Sequence, residues 1–233
     1  MRYVIKFTKE SSIKFISHLD LMRTIQKVIR RADLPMQYSK GFNPHMALSI
    51  AQPLSVGVYS EAEYMDIVLV EELDENEIID RLNEKTAQGI KFISAHKVIN
   101  VDGEKKLPQS MALVDAARFT VKMLCDKSEE VSSKMESLLG EEKWITIKKS
   151  KKGEKEVDLK TMIKGFKYWV KDNEIIINML ISSGSREHLS PDLVASYIKG
   201  KISNIIEDAF VDIKREEMYV LKGKNYVALY KSI

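Results

Sequence analysis

The stretch SHLDLMRTIQKVIRRADLP, residues 17–35, decides the fold of the N-terminal part of the chain. Its apolar residues recur at spacings of three and four, a period typical of a helix with one buried face. Ser17 with Asp20 is typical of a helix N-cap, and Pro35 disfavours helical conformation at the residue before it. The sequence therefore predicts a helix over residues 18–32. Its expected buried side chains are Leu19, Met22, Ile25, Val28 and Ile29.

Alternating patterns on both sides of this helix predict the element order β-α-β-β-α-β over residues 1–99. The predicted strands are RYVIKFT (2–8), MALSIA (46–51), EYMDIVLV (63–70) and GIKFISAHKVI (89–99). Asp74 is placed to cap a second helix, DENEIIDRLNEKT. This order is typical of a ferredoxin-like domain, an antiparallel sheet with both helices on one face.

A similar alternation recurs after residues 100–114, a polar segment with Gly and Pro that we interpret as a linker. A second domain is expected over residues 115–233. Its predicted strands are ARFTVKML (117–124), KWITIKK (143–149), NEIIINMLIS (173–182) and VDIKREEMYV (211–220), and its predicted helices are SEEVSSKMESLL (128–139) and LSPDLVASYIKGKISNII (189–206). A lysine-rich connection, SKKGEKEVDLK, lies within it. The sequence therefore predicts an α+β protein of two tandem ferredoxin-like domains.

Composition excludes several classes of protein. The chain is 44% hydrophobic and 30% charged, and it has no apolar run long enough for a membrane span. Its first residues lack the pattern of a secretory signal, so we expect a cytoplasmic protein without a membrane partner. The single cysteine, Cys125, allows no disulfide within the chain and no iron–sulfur cluster held by it alone. We expect neither a cofactor nor a metal ion.

Charge is distributed unevenly along the chain, although the net charge is only +3. Residues 1–60 have a net charge of +6, residues 61–100 of −6, and residues 143–171 of +7. Such asymmetry gives a nearly neutral protein a positive face, which attracts polyanions in a salt-dependent way. A solvated surface without a ligand explains a run of charges equally well.

The positive N-terminal region contains the residues that we predict to bind nucleic acid. The helix places four cations largely off its apolar face. The next segment, SKGFNPH, contains a cation, an aromatic ring and an imidazole in addition to the residues that form a turn. Cations would contact phosphates, loop amides would bind an anion, and aromatic rings would stack on unpaired bases. The candidates are Arg23, Lys27, Arg30, Arg31, Tyr38, Lys40, Gly41, Phe42, Asn43 and His45. In the second domain, Arg186 in SSGSREHLSPD is a further candidate for an anion site before a helix.

Simpler roles remain open for several of these residues. Phe42 would equally well fill the core of the first domain. The positive charges of Arg30 and Arg31 would stabilise the helix by interacting with the negative end of its dipole, without any ligand. The loop around Arg186 would be an ordinary strand-to-helix connection capped by Ser190.

Two other functional hypotheses remain open. His18 and His45 would supply the acid and the base of a metal-independent RNA-processing enzyme, with Tyr38 or Lys40 stabilising the developing charge. A metal site built from His18, Asp20 and His45 has no diagnostic spacing. In the remaining hypothesis the chain is a protein-docking adaptor that uses its acidic strip, residues 61–84, or exposed sheet edges.

Residues 2–70 resemble the DUF2344 family, also called the radical-SAM-linked or radical-SAM-associated protein family. The resemblance rests on RYVIKFTK and on FISHLDLMRTIQKVIRRADLPMQYSKGFNPHMALSIAQPLSVGVYSEAEYMDI, and it continues more weakly through KEVDLKTMI and SSGSREHLSPDLVASYI. It implies that a cobalamin-type radical SAM protein, encoded separately, is the partner of this chain. The chain would then be a noncatalytic accessory module, and its expected role of binding RNA or presenting a substrate rests on the basic residues and the loop described above. The chain lacks the CxxxCxxC triplet, so radical chemistry would belong to that partner. The resemblance implies no catalytic residues.

Overall fold

A computed structural model describes residues 1–99, 103, 106–150 and 153–233 of the chain. The fold is mixed α+β, with a large sheet and six helices among the described residues. The strands are β1 (Arg2–Lys9), β2 (Leu48–Ile50), β3 (Val58–Val68), β4 (Phe92–Lys97), β5 (Ala116–Leu124), β6 (Ile145–Ser150), β7 (Gly153–Asp158), β8 (Ile163–Lys171), β9 (Glu174–Ser182), β10 (Asp212–Lys222) and β11 (Asn225–Ala228). The helices are α1 (His18–Arg31), α2 (Glu75–Lys85), α3 (Ser110–Leu113), α4 (Ser128–Gly140), α5 (Leu159–Met162) and α6 (Pro191–Lys201).

The chain divides into two compact units. The N-terminal unit contains Met1–Asp115 together with Arg215–Ile233, and the central unit contains Ala116–Lys214. The last residues of the chain therefore belong with its beginning, whereas the sequence predicted a second domain over residues 115–233. The predicted linker, residues 100–114, lies partly outside the described residues.

The N-terminal unit has the predicted element order over its first 99 residues. β3 and β4 flank β1, and β2 pairs with β3; each of these three pairs is antiparallel. β10 also lies beside β3. Arg215 contacts Glu63, and Glu217 contacts Tyr64, so the contacts advance in the same direction along both strands. The sheet is thus partly parallel, unlike the wholly antiparallel sheet that the sequence predicted.

Helix α1 begins and packs largely as its sequence predicts. The Ser17 hydroxyl accepts a hydrogen bond from the backbone N–H of Asp20 at 3.2 Å, which confirms the predicted N-cap. Its buried side chains are Leu21, Ile25, Val28 and Ile29. Leu19, predicted to be buried, is instead 63% exposed. Residues two apart lie about 200° apart around a helix, so only Leu19 or Leu21 can face the core.

Opposite faces of this sheet have different surroundings because side chains alternate along a strand. Tyr3, Ile5 and Phe7 belong to the hydrophobic core that also contains the buried residues of α1 and of α2. The alternate residues, such as Arg2 and Val4, therefore point to the face away from these helices. Asp74 caps α2 by accepting hydrogen bonds from the amides of Asn76 and Glu77, as predicted.

Three charged side chains are buried between β1, β3 and β10. Lys9, Glu63 and Arg215 are each 2% exposed or less. Arg215 Nε donates to Glu63 Oε1 at 3.0 Å, a second guanidinium nitrogen donates to the same oxygen, and a third donates to the carbonyl of Gln52 at 2.8 Å. We call these three residues the buried charge cluster. The pairing of Arg215 with Glu63 holds residues 215–222 in the N-terminal unit, although the sequence placed them in a second domain.

Lys9 completes the cluster by contacting the backbone. Its ammonium group donates to the carbonyls of Lys14 and Val58 at 3.0 Å and to that of Ile16 at 3.4 Å. Burial lowers the pKa of Lys9 below its usual value; the Glu63 carboxylate opposes this shift, and the Arg215 charge adds to it.

The central unit contains the antiparallel strands β5, β9 and β8 in that order. β6, which the sequence predicted as a strand over residues 143–149, forms a separate antiparallel hairpin with β7, which lies where the sequence predicted a lysine-rich connection. Trp144 is 1% exposed, stacks on Tyr197 with ring centroids 5.5 Å apart, and donates its indole N–H to the carbonyl of Leu138 at 2.9 Å. The predicted Ser190 cap of α6 is confirmed, since its hydroxyl accepts from the amide of Leu193.

Two tandem ferredoxin-like domains are not confirmed by these elements. The final predicted strand, β10, lies beside β3 of the N-terminal unit, and the sequence did not predict β7 or β8. None of the described helices is long and apolar enough to span a membrane.

Candidate nucleic-acid interface

The outer face of α1 is a row of cations. Arg23, Lys27, Arg30 and Arg31 are all exposed. Arg23, Lys27 and Arg30 are spaced by four and three residues, so they lie on one side of the helix. The apolar face described above is turned to the core, which leaves this row facing solvent. The structure therefore brings together all four predicted helix cations.

Only the first of these cations has an acidic partner in the part of the chain that the structure describes. Arg23 pairs with Asp20 at 3.1 Å. The hydroxyl of Ser17, followed by Arg23, lowers the pKa of the Asp20 carboxyl below its usual value. Lys27, Arg30 and Arg31 make no side-chain hydrogen bond or ion pair with the described residues. The C-terminal half of α1 thus presents uncompensated positive charge.

The segment after α1 projects as a loop from a paired stem. Tyr38 and Met46 form an antiparallel bridge, and the amide of Ser39 donates to the carbonyl of His45 at 2.9 Å. The stem is fixed to β3, because the amide of Gln37 donates to the carbonyl of Val68 at 2.8 Å. Residues 39–45, which we call the recognition loop, are therefore held at both ends.

Every residue of the recognition loop is exposed. Phe42 has a relative exposure of 107%, so the structure excludes the alternative in which this ring fills the core. Gly41 has φ of +130°, a conformation that side chains disfavour, and it allows the chain to bend beside Phe42. Lys40 makes no hydrogen bond or ion pair with the described residues. The loop consequently presents a cation and a bare aromatic ring to solvent.

Tyr38 and His45 stand at the two ends of the recognition loop. Tyr38 is 44% exposed, and His45 is exposed with its backbone amide donating to the hydroxyl of Ser39 at 2.9 Å. Asn43, between them, is also exposed. These side chains are accessible to a ligand that contacts the loop.

The histidines of the catalytic alternative gain no support from this geometry. Among the described residues, neither His18 nor His45 makes a side-chain hydrogen bond or an ion pair that would orient its ring. No group of three or more His, Cys, Asp or Glu side chains in that part of the chain is placed to hold a metal ion. His18, Asp20 and His45 therefore do not form a ligand set.

Arg186 lies in the central unit, in a tight strand-to-helix connection. The amide of Gly184 donates to the carbonyl of Glu187 at 2.9 Å, and Ser183 bridges to His188. Arg186 is exposed, but the neighbouring Glu187 carboxylate accepts from the hydroxyl of Ser182 and from Lys164. Glu187 is itself paired with Lys164, and the anion site at Arg186 stays a prediction.

Sequence reasoning missed one group of polar residues in the N-terminal unit. Arg2, Ser49 and Asp66 line a cavity beside the stem of the recognition loop. In the sequence these residues occur as single polar positions in three separate strands. Their register, which aligns Ser49 with Asp66 and Arg2 with Val68, becomes visible only once the strands are paired.

Comparison with known proteins identifies a family and no function. A family model described as "Uncharacterized protein conserved in bacteria (DUF2344)" matches residues 2–191. No curated protein matches the sequence. A solved structure, described as an unknown protein from Galdieria sulphuraria, has 10% sequence identity over 94% of this chain and 98% of that chain, with a TM-score of 0.26. A TM-score this low supports no inference about fold or function.

Proposed function

The chain belongs to the DUF2344 family, and from this premise we propose that it is a noncatalytic accessory module that binds RNA through α1 and the recognition loop. The observation that supports the proposal is a set of exposed cations without an acidic partner among the described residues. These cations are Lys27, Arg30, Arg31 and Lys40. Lysine and arginine side chains supply most contacts to the phosphates of nucleic acids.

The recognition loop favours single-stranded RNA over a duplex. Phe42 is exposed at the outer part of a loop, where its ring is available to stack on an unpaired base. The backbone amides around Gly41 are available to a phosphate. Unpaired bases stack on aromatic rings, whereas the deep, narrow major groove of an RNA helix admits few side chains.

We also propose that a separately encoded radical SAM protein is the partner of this module. The resemblance of residues 2–70 to radical-SAM-linked proteins supports this pairing. A single cysteine cannot supply the thiolates of an iron–sulfur cluster, so the cluster would belong to the partner. The module would then bind an RNA that either is the substrate or carries the substrate, and the partner would perform the chemistry.

Replacing Arg30, Arg31 and Lys40 together with alanine tests the proposal. Each lost phosphate contact is expected to lower the salt slope of binding by roughly one unit, with similar losses for different RNA sequences. Folding is expected to change little, because substitutions at exposed positions usually alter stability by less than about 0.5 kcal/mol. The measurement is fluorescence anisotropy of a labelled single-stranded RNA at several salt concentrations.

The matched control replaces Lys91, Lys106 and Lys224 with alanine, three exposed lysines outside α1 and the recognition loop. It removes the same charge and is expected to change the salt slope much less. If the Arg30, Arg31 and Lys40 variant binds RNA like the wild-type protein, the proposed interface is wrong and a protein-docking role becomes the better explanation. An equal loss in both triple variants would indicate attraction by net charge alone.

A further inference from the structure

A cavity of about 200 Å³ opens beside the stem of the recognition loop, wholly within the N-terminal unit. Met46 and Ala47, which belong to the returning arm of the stem, line one part of it. Arg2, Ser49 and Asp66 line another part, on the sheet face away from α1. Pockets for drug-sized ligands are commonly about 300–1,000 Å³, so this cavity suits a single small planar group.

Three polar atoms of this lining lack a hydrogen-bond partner among the described residues. They are Arg2 Nε, Ser49 Oγ and Asp66 Oδ1. Asp66 is only 3% exposed, and Arg2 Nε lies 3.8 Å from Asp66 Oδ1, too far for a hydrogen bond. Arg2 and Asp66 attract each other as an ion pair, but neither Nε nor Oδ1 has a hydrogen bond among the described residues. Buried polar groups are nearly always hydrogen-bonded, so this donor and this acceptor indicate a place for a ligand.

The surroundings of Asp66 fix which of its oxygens is open. Asp66 Oδ2 accepts a hydrogen bond from the backbone N–H of Ser110 at 2.9 Å. Oδ1 has no hydrogen-bond partner among the described residues and lies beside the guanidinium of Arg2. The buried hydroxyl of Ser110, on the other side of the carboxyl group, also has no hydrogen-bond partner among these residues. Burial raises the pKa of the Asp66 carboxyl, against the opposing effects of its hydrogen bond from the Ser110 amide and of the Arg2 charge.

We infer that this cavity binds an unpaired nucleobase by the edge that carries an N–H donor beside an acceptor. Asp66 Oδ1 accepts from the base N–H, and Arg2 Nε donates to the neighbouring carbonyl or ring nitrogen. A phosphate or a carboxylate offers acceptors only, and the Asp66 carboxylate repels it. The inference rests on the proposed RNA-binding function and adds to it a second contact, distinct from phosphates and from stacking on Phe42.

The experiment compares oligouridine with oligo-3-methyluridine of equal length on the whole protein. The methyl group removes the N3–H donor and leaves the backbone charge unchanged. We expect wild-type protein to bind oligouridine roughly tenfold to a hundredfold more tightly, the usual effect of one hydrogen bond to a charged group. The salt slopes for the two oligonucleotides should be equal, since phosphate contacts are unaffected.

Asp66→Asn provides the second arm. The Ser110 amide retains an oxygen acceptor, so the new side-chain NH₂ faces the cavity and replaces the acceptor with a donor. This variant is expected to bind oligouridine as weakly as the wild-type protein binds the methylated oligonucleotide. The matched control is Asp80→Asn, which removes one charge at an exposed position and should preserve the preference for oligouridine.

Equal wild-type affinities for the two oligonucleotides would overturn the inference and leave the proposed RNA-binding function intact. Absence of binding to either would overturn the proposed function, and the inference with it. If Asp66→Asn fails to fold, the comparison on the wild-type protein still decides the assignment.

Discussion

Replacing Glu63 with glutamine is expected to lower the free energy of unfolding by about 3–5 kcal/mol, the usual cost of removing one partner from a buried ion pair. Glu63 is the acid of the buried charge cluster, and it is 1% exposed. Glutamine has nearly the same shape but no charge, so the cationic side chains of Lys9 and Arg215 would remain buried without a counter-ion. Urea denaturation followed by circular dichroism measures the change.

The matched control is Glu71→Gln, at an exposed position of the same unit. It should change stability by less than about 0.5 kcal/mol.

A double variant, Glu63→Leu with Arg215→Met, separates the effect of charge from the effect of packing. Replacing both partners of a buried pair with apolar residues is often neutral or even stabilising, so the part of the loss that comes from the uncompensated Arg215 charge should be recovered, whereas Lys9 stays buried without a counter-ion. A loss below about 1 kcal/mol for Glu63→Gln would contradict the assigned role of the cluster.

This cluster also explains why the domain boundaries could not be read from the sequence. Arg215 and Glu63 lie 152 positions apart, and in a single sequence each reads as an ordinary surface charge. Local periodicity predicts that β10 is a strand but contains no information about which strand it pairs with. Burial of the Arg215 guanidinium against Glu63 depends on long-range pairing, which a pattern of neighbouring residues cannot indicate.

Local signals, in contrast, predicted the starts of three helices well, including α1 of the candidate site. The caps at Ser17, Asp74 and Ser190 involve residues two or three positions apart, so their hydrogen bonds follow from sequence alone. The same locality allowed the exposed row on α1 to be predicted from the spacing of its apolar residues. The polar cavity around Asp66 could not be predicted in this way, because its lining depends on the register of three strands.

Phe42 is the residue for which the structure changes the expectation most. The sequence allowed this ring to be either a core residue or a stacking residue, and the two roles predict opposite results for Phe42→Ala. A core phenylalanine would cost about 3–5 kcal/mol of stability when truncated to alanine. Because the side chain is 107% exposed, there is no buried area to lose, and the free energy of unfolding should change by less than about 0.5 kcal/mol.

RNA binding should respond strongly to the same substitution. Loss of one base-stacking contact typically costs about 1–3 kcal/mol, which is roughly a fivefold to 150-fold loss of affinity for single-stranded RNA. The salt slope should stay constant, since no phosphate contact is removed, and this distinguishes Phe42→Ala from the Arg30, Arg31 and Lys40 variant. Titrations of labelled RNA at two salt concentrations measure both quantities.

Two controls make the Phe42 result specific. Phe42→Trp keeps an aromatic face and should retain most of the affinity, whereas Phe42→Leu should lose it. If the contact were hydrophobic without stacking, Phe42→Leu would also retain the affinity. Phe15→Ala truncates another exposed phenylalanine, 63% exposed and outside the recognition loop, and should leave RNA affinity nearly unchanged. Equal affinities of the wild-type protein and Phe42→Ala would show that the ring does not stack. The recognition loop would then contribute through Lys40 and its backbone amides alone.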